Sequence, residues 1–471
     1  MLLKYFYNQQ LAHASYMVGC QATGEALIVD PGRDVEIYLR AAEREEMRLV
    51  GVAETHIHAD YVSGARELAA RVGARLYVSD EGGADWKYQY VQEYAHQLLR
   101  DGDTFMVGNI RLEVMHTPGH TPEHISFLLT DTAGADRPMG IFTGDFVFVG
   151  AVGRPDLLEK AAGIANTSVV GARQMFHSLR RFRQLPDYVQ VWPAHGAGSA
   201  CGKGLGSVPS STVGYEKLFN AALGYEDEEA FVHMLLEGQP EPPTYFAMMK
   251  RVNKEGPRIL GGMLDVGEMP ASTLPHLLHA NTPIIDTRAA DAFAAAHIPG
   301  TLNIPLADLA EWAGWLLNYH DPFYLIADAD ALADAVGSLT YIGLDNVAGY
   351  FPTAIIAQWR DMGHPVQSYQ PVSADHIADR VLRGQIKVID VRAQSEWDEG
   401  HIPGARHIML GYLPDRAHEL VNGETLLVNC HSGSRSAIGA SILQARGAAN
   451  VLNLSGGILE WTAHGLPLAN D

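Results

Sequence analysis

Two stretches of this chain are near copies of one another. "IIDTRAADAFAAAHIPGTLNIPL" begins at Ile284, and "VIDVRAQSEWDEGHIPGARHIML" begins at Val388. Asp286 and Asp390, Arg288 and Arg392, and His297 and His401 all recur at an interval of 104 residues. Each copy opens on an apolar strand-like run, continues into a long helical stretch and reaches a tryptophan, Trp359 or Trp461. A repeat of this size commits the last 200 or so residues to two like α/β modules of about a hundred residues each. "GHPVQSYQPVS" joins them.

The first 200 or so residues alternate strand and helix signals instead. "EALIVDPG" is an apolar run stopped by Pro31 and Gly32, and Asp34 is placed to cap a helix running to about Met47. "RLVGVAETH" reads as a strand and "GARELAARVG" as a helix. "IRLEVMHT" alternates at Ile110, Leu112 and Val114, as a half-buried strand must, and "HISFLLT" and "GIFTG" read as further strands. "GKGLGSVP", Gly202 to Pro209, breaks the pattern, and the helical segments "EDEEAFVHMLLEG" and "TYFAMMKRVNKEG" follow. A boundary near "GPRILGGML" gives three expected domains, 1–260, 261–367 and 368–471.

Charge narrows the partners. Against 34 Lys plus Arg stand 55 Asp plus Glu, a formal charge of −21. Nucleic acids and anionic membranes need a basic footprint, so neither is expected. No apolar run approaches the length of a membrane span, and the alternating start reads as strands and not as a signal peptide. The three cysteines, Cys20, Cys201 and Cys430, fit no disulfide framework. A reducing, cytoplasmic setting is expected, in which a functional cysteine acts as a thiolate. A homo-oligomer is also expected.

"THIHADYVSG", Thr55 to Gly64, sets His56, His58 and Asp60 at alternating positions, which in an extended segment project to one side. "HTPGHTPEH" presents His120 from a Pro-Gly turn. "IFTGD" and "VWPAHG" place Asp145 and His195 just past apolar strands. Taken singly, each is an ordinary strand-end residue, and His116 and His124 beside the turn read as structural. Four strand-end loops that all offer metal-ligand types predict a metal site.

In this order and spacing, these motifs resemble the metallo-β-lactamase superfamily over residues 1 to about 200. The resemblance implies an αββα sandwich with a metal at one edge. In its dinuclear members, one ion uses residues matching His56, His58, His120 and Asp145. The other uses Asp60, the residue after it, Asp145 and His195. Here the residue after Asp60 is Tyr61, a neutral phenol at ordinary pH and a poor substitute for imidazole, so one metal is expected. The pattern is similar to that of mononuclear persulfide dioxygenases, which hold Fe(II) with residues matching His56, His120 and Asp145. Two imidazoles and one carboxylate leave positions open for substrate and O₂. His58, Asp60 and His195 then support the ligands or bound water, or serve as alternative ligands. "GRPD" resembles an element following the ligand aspartate in those enzymes, where Arg154 holds either an anionic substrate or its own loop. Gly196 and Ala197 replace a polar pair of the glutathione-using members. Cys201 either faces the cavity as a sulfur relay or is a buried small residue, and Cys20 reads as inert.

"LLVNCHSGSRSAIGA" runs an apolar strand into Cys430, then a Ser/Gly/Arg loop and a helix. Backbone N–H groups and a helix start aimed at the sulfur favour its thiolate, and Arg435 adds positive charge. The same cradle suits a cysteine persulfide or a bound oxyanion. With "DVR", "GHIPGA" and a final "GG…W", the segment from about 370 to 471 resembles the rhodanese sulfurtransferases. Cys430 would carry sulfur, with His431, Ser432, Gly433, Ser434, Arg435 and Ser436 as its loop. Aligned on the preceding strand, copy one has Asp328 where copy two has Cys430, so it resembles a non-catalytic rhodanese-like domain.

The combined resemblance is to fused persulfide dioxygenase–sulfurtransferases of sulfide detoxification. It implies Fe(II), O₂, a small thiol persulfide as substrate, and sulfite and thiosulfate as products. Tyr61 would wall the iron pocket. Two other readings are a zinc-dependent thioester or lactone hydrolase with an accessory rhodanese, and a sulfur carrier or persulfide sensor without turnover.

Overall fold

The computed structural model describes residues 1–157, 159, 167–239 and 241–470. The chain divides into two compact units, Met1–Met263 with Thr340–Gly343, and Leu264–Leu339 with Leu344–Asp471.

In the first unit, β1 (Leu2–Asn8), β2 (His13–Cys20), β3 (Glu25–Val29), β4 (Arg48–Ala53), β5 (Arg75–Ser79) and β6 (His96–Leu99) form one sheet in that order. A second sheet takes β7 (Thr104–Val107), β8 (Ile110–His116), β9 (Ile125–Asp131), β10 (Gly140–Gly144), β11 (Gln190–Pro193) and β12 (Ser211–Thr212), again in sequential order. Side-chain alternation decides how they pack. In β8, Ile110, Leu112 and Val114 are buried while Arg111 and Glu113 are half-buried. The buried set meets Tyr16, Val18, Leu27 and Val29 of the first sheet in one apolar core. On the far side of the first sheet, Met17, Ala26 and Ile28 pack against the helices Glu36–Arg44 and Ala65–Val72. On the far side of the second, Ile141 and Val191 pack against the helix Thr167–Phe182. The result is helix, sheet, sheet, helix. Burying each such Val, Leu, Ile or Phe is worth roughly 1.5–3 kcal/mol, so the sheets hold their ends firmly and the loops leaving them inherit fixed starting points.

The first helix stops at Arg44, short of Met47. Glu46 takes a left-handed φ of 53°, and Met47 N–H turns back to the Ala42 carbonyl, a backbone reversal that closes a helix end. Asp34 accepts the Glu36 N–H at 3.0 Å, although Val35 occupies the cap position.

The second unit holds two parallel sheets. β13 (Ile284–Asp286), β14 (Leu302–Asn303), β15 (Phe323–Ile326) and β16 (Val347–Phe351) lie in the order β14-β13-β15-β16. β17 (Gln370–Val372), β18 (Lys387–Asp390), β19 (Arg406–His407), β20 (Leu426–Asn429) and β21 (Val451–Leu454) lie in the order β17-β21-β20-β18-β19. The repeated residues do the same work in both copies. Arg288 grips Asp286 and Arg392 grips Asp390 through two guanidinium nitrogens. His297 stacks on Phe293 at 3.9 Å and His401 on Trp397 at 3.5 Å. The Trp359 and Trp461 indoles donate to the carbonyls of Pro365 and Pro467.

Strand register corrects one equivalence. Asp286 pairs with Ile326 and Asp390 with Asn429. The residue after each partner is Ala327 in copy one and Cys430 in copy two, so buried Ala327, and not Asp328, stands in the Cys430 position. Copy one has one extra residue between the paired strands, which an alignment on apolar runs does not see.

A candidate metal centre and a candidate thiolate site

β4 ends at Ala53 and delivers Glu54 to Tyr61 as irregular backbone. Hydrogen bonds from outside the segment shape it. Thr55 N–H donates to Asp30 Oδ1 at 2.7 Å and Ile57 N–H to Glu123 Oε1 at 2.9 Å. Asn253 Nδ2, from the helix Phe246–Glu255, donates to the carbonyls of His58 at 2.8 Å and Tyr61 at 2.7 Å. The segment is therefore bent, yet it keeps the His56 and His58 rings 4.2 Å apart and brings His56, His58 and Asp60 all into the buried site. Each joins a different buried cluster: His56 with His120 and Asp145, His58 with Asp30 and Glu54, and Asp60 with His195 and Cys201.

The first cluster is held from behind at every member. Thr55 Oγ1 donates to Asp30 Oδ2, so it accepts from His56 Nδ1 at 3.0 Å. His120 Nδ1 donates to the Arg154 carbonyl at 2.9 Å. Asp145 Oδ1 accepts from His195 Nδ1 at 2.7 Å, and the Asp145 N–H donates to His124 Nε2 at 3.1 Å. The forward atoms converge: Asp145 Oδ2 lies 3.5 Å from His120 Nε2 and 3.8 Å from His56 Nε2. Burial, reinforced by neighbouring imidazoles, keeps His56 well below the usual histidine range, and burial lowers His120. Their forward nitrogens therefore carry lone pairs. Burial alone would raise Asp145, but His195, His120 and His56 outweigh it and hold the carboxylate ionised.

Burial also works against a charge on His195. The Asp145 and Asp60 carboxylates overcome it and push the imidazole up to about 10. Its Nε2 lies 2.8 Å from Asp60 Oδ2, out of line for a hydrogen bond. His58 Nε2 lies 3.2 Å from both Asp30 Oδ1 and Glu54 Oε2, which raise it against its burial. Tyr61 is fully buried, and burial with the surrounding carboxylates drives its phenol well above the ordinary range. Its ring lies 3.8 Å from His13 and 4.5 Å from His58, and its hydroxyl points to the Asp30 carbonyl at 3.4 Å. His13 Nδ1 in turn lies 2.6 Å from the hydroxyl of Tyr341, part of the same unit.

Arg154 is fully buried, and its guanidinium meets Asp156 through two nitrogens at 2.8 and 2.7 Å. Its N–H donates to the Cys201 carbonyl. These are the contacts of a loop clamp. Cys201 is buried beside Phe148 and Ala151, and burial with the Asp60 and Asp145 carboxylates pushes its thiol well above the usual range.

In the second unit, Cys430 follows β20 and is fully buried. Its Sγ accepts from Gly433 N–H at 3.1 Å and Ser436 Oγ at 3.3 Å. Gly433 takes φ 101° to start the helix Ser434–Ala445, and a Cβ there would stand 3.1 Å from Gly456 N. A side chain at this position would be strained and crowded. His431, Ser432 and Ser434 are exposed. Arg435 sends both terminal nitrogens to Glu396, at 2.6 and 2.7 Å, so its charge is shared with a carboxylate and not spent on the sulfur alone.

The profile of the metallo-beta-lactamase superfamily matches residues 9–195, and that of the rhodanese-like domain matches residues 271–351 and 373–464. The crystal structure of a metallo-beta-lactamase from Staphylococcus aureus subsp. aureus COL superposes with a TM-score of 0.68 at 44% identity, covering 74% of this chain and 98% of that one. The chain belongs to the metallo-β-lactamase superfamily. Hydroxyacylglutathione hydrolase of Gloeobacter violaceus is 38% identical over 37% of this chain, which spans 60% of that relative's length. Mitochondrial persulfide dioxygenase ETHE1 of Bos taurus is 27% identical over 51% of this chain and 84% of its own.

The metallo-β-lactamase fold binds metal ions, zinc or iron, and the first cluster of this superfamily member fits one. Among the described residues, His56 Nε2 and Asp145 Oδ2 are buried without a hydrogen-bond partner, a costly state for polar atoms unless a cation takes their lone pairs. Donors about 2.1 Å from a common ion stand roughly 3–3.5 Å apart, close to the 3.5 and 3.8 Å separations found. The sequence missed Asp30, Glu54, His13, Glu123, Asn253 and Tyr341. "IVDPG" and "TPEH" flank the motifs and were legible as strand-end acids. Asn253 and Tyr341 carry no local signal.

Proposed function

We propose that the first unit oxidises low-molecular-weight thiol persulfides with O₂, and that Cys430 carries sulfur for transfer to the sulfite produced. The net reaction is R–S–SH + O₂ + H₂O giving R–SH, sulfite and two protons. His56, His120 and Asp145 would hold one Fe(II), and the iron when bound supplies the redox chemistry toward O₂. The observation that carries the reading is the convergence of two lone-pair imidazole nitrogens and one carboxylate oxygen, a donor set suited to non-haem iron. Kinship with a persulfide dioxygenase over 84% of that enzyme supports it.

The chain's own residues prepare the site. Thr55 and the Arg154 carbonyl fix the two imidazole tautomers. His195 holds Asp145 from behind and keeps its free oxygen forward. Tyr61, neutral and buried, packs against His58 and His13 behind the metal loop, and Arg154 holds the loop that carries the His120 partner carbonyl. At Cys430, the Gly433 and Ser436 donors stabilise negative charge on sulfur.

A hydrolase reading draws on the 38% identity to hydroxyacylglutathione hydrolase and on the adjacent Asp60–His195–Cys201 cluster. Metal analysis of anaerobically purified protein, with O₂ uptake on coenzyme A and glutathione persulfides, separates the two. Iron with stoichiometric O₂ consumption and sulfite release is expected. Zinc with thioester hydrolysis and no O₂ uptake would overturn the dioxygenase.

A further inference from the structure

A cation placed beside a thiolate normally attracts anions, and sequence alone reads Arg435 that way. The structure gives that cation a resident partner. Glu396 lies in the short helix Gln394–Asp398, where its Oε2 accepts the Ala393 N–H at 3.0 Å. Its backbone carbonyl accepts from Arg392, which is itself locked to Asp390. The Glu396 carboxylate is therefore fixed from two directions, and both its oxygens receive the Arg435 guanidinium. Burial alone would raise Glu396, yet Arg435 outweighs it and keeps the carboxylate ionised. The ring of His431 stands 3.9 Å from the same carboxylate.

The guanidinium of the Cys430 loop is thus already engaged by a carboxylate. A dianionic acceptor gains Arg435 only by displacing Glu396, whereas an uncharged thiol has no use for the guanidinium. We propose that Glu396 sets the charge selectivity of sulfur transfer at Cys430 by occupying the cation that an anionic acceptor needs. The proposal rests on the reading of Cys430 as a sulfur carrier.

The step concerned is attack by sulfite on the outer sulfur of Cys430–S–S⁻. A sulfur–sulfur bond forms to give thiosulfate, the Cys430–sulfur bond breaks, and the electron pair stays on Cys430 Sγ. Charge balances at −3 on each side. With an uncharged thiol, the same bond breaks, the thiol's proton passes to Cys430 and a new persulfide anion leaves. Only the first case brings a dianion up to the Arg435–Glu396 pair.

The full-length protein is loaded with an organic persulfide and desalted, and loss of the added sulfur from Cys430 is followed by mass spectrometry with sulfite or with 2-mercaptoethanol. In Glu396→Gln, the sulfite rate constant is expected to rise roughly tenfold while the 2-mercaptoethanol rate constant stays as in the wild type. Glu396→Asp, which keeps the charge, retains the wild-type preference, and Arg435→Gln added to Glu396→Gln abolishes the gain. Added salt speeds the sulfite reaction more in the wild type than in Glu396→Gln and leaves the thiol reaction flat in both. If Glu396→Gln does not fold, Arg435→Lys, which keeps the cation and loses the two-nitrogen grip on Glu396, supplies the same comparison of acceptors. Equal changes with both acceptors, an unchanged ratio, or a sulfite rate that falls with salt would overturn the proposal while leaving the carrier reading intact. If Cys430 of the wild type gains no sulfur from any donor, the carrier reading and this inference fall together.

Discussion

Glu123 brings a carboxylate into a space with no exposed surface, where its Oε1 accepts the Ile57 N–H between two histidines of the metal loop. Burial raises its pKa to about 7 from an ordinary 4.5. Between those two values the folded protein holds a proton that the unfolded chain releases. Stability from this group is therefore complete below about pH 4.5 and lost as pH rises through about 7. Glu123→Gln mimics the protonated acid. Metal-free wild type is expected to lose thermal stability between pH 5.5 and 8 more steeply than the variant, and parallel melting curves would count against the assignment. Residues of this kind explain what the sequence left unread. His56, His120 and Asp145 were legible because each follows an apolar strand and is of a ligand type. Asp30 looks the same as any acid before a Pro-Gly turn, and its partnership with Thr55 and His58 depends on how the loop bends. Tyr341 meets His13 across 328 residues, a distance at which local pattern has no reach.

Among the elements, the helix Ser434–Ala445 shows where periodicity stops helping. Ser436 to Gln444 are all buried, so no polar stripe marks an outer face. β14 of copy one accounts for part of this, since the Asn303 N–H donates to Ser441 Oγ at 3.0 Å. Ser441→Ala leaves that buried N–H without an acceptor, which costs about 1–3 kcal/mol. A lowered midpoint in urea with an unchanged slope is the expected result, and a shift under a few tenths of a kcal/mol would show the contact to be dispensable. β8 is the opposite case: its alternation at Ile110, Leu112 and Val114 was readable because one face meets the other sheet and the other does not. In the metal loop, alternation marked which residues enter the site but not which cluster each joins, because hydrogen bonds from Asn253 and to Glu123 bend the backbone. Register, too, needs the strands in place, which is why Ala327 took the position that alignment had given to Asp328.

Across the whole molecule, the two chemistries draw on separate supports. The cores beneath the metal cluster are built from Met17, Val18, Phe127, Ile141 and their neighbours in the first unit. The core beneath Cys430 is built from Val388, Leu427, Leu454 and Trp461 in the second. Each site also takes its hydrogen-bond partners from its own unit: Thr55, His124 and His195 for the first cluster, Gly433 and Ser436 for the sulfur. Stability lost in one set of contacts does not by itself remove the other set, because effects of residues without shared partners add independently. Removing metal with a chelator should therefore abolish O₂ uptake while Cys430 still gains one sulfur atom from an added persulfide at the wild-type rate. Cys430→Ser should do the reverse, leaving metal content and O₂ uptake as in the wild type and shifting the product from thiosulfate to sulfite. Single-turnover loading followed by mass spectrometry, run beside an oxygen electrode on the same samples, reads both quantities. Were chelation to stop Cys430 loading, the thiolate would depend on the metal unit for its sulfur or its shape, and the two sites would have to be treated as one.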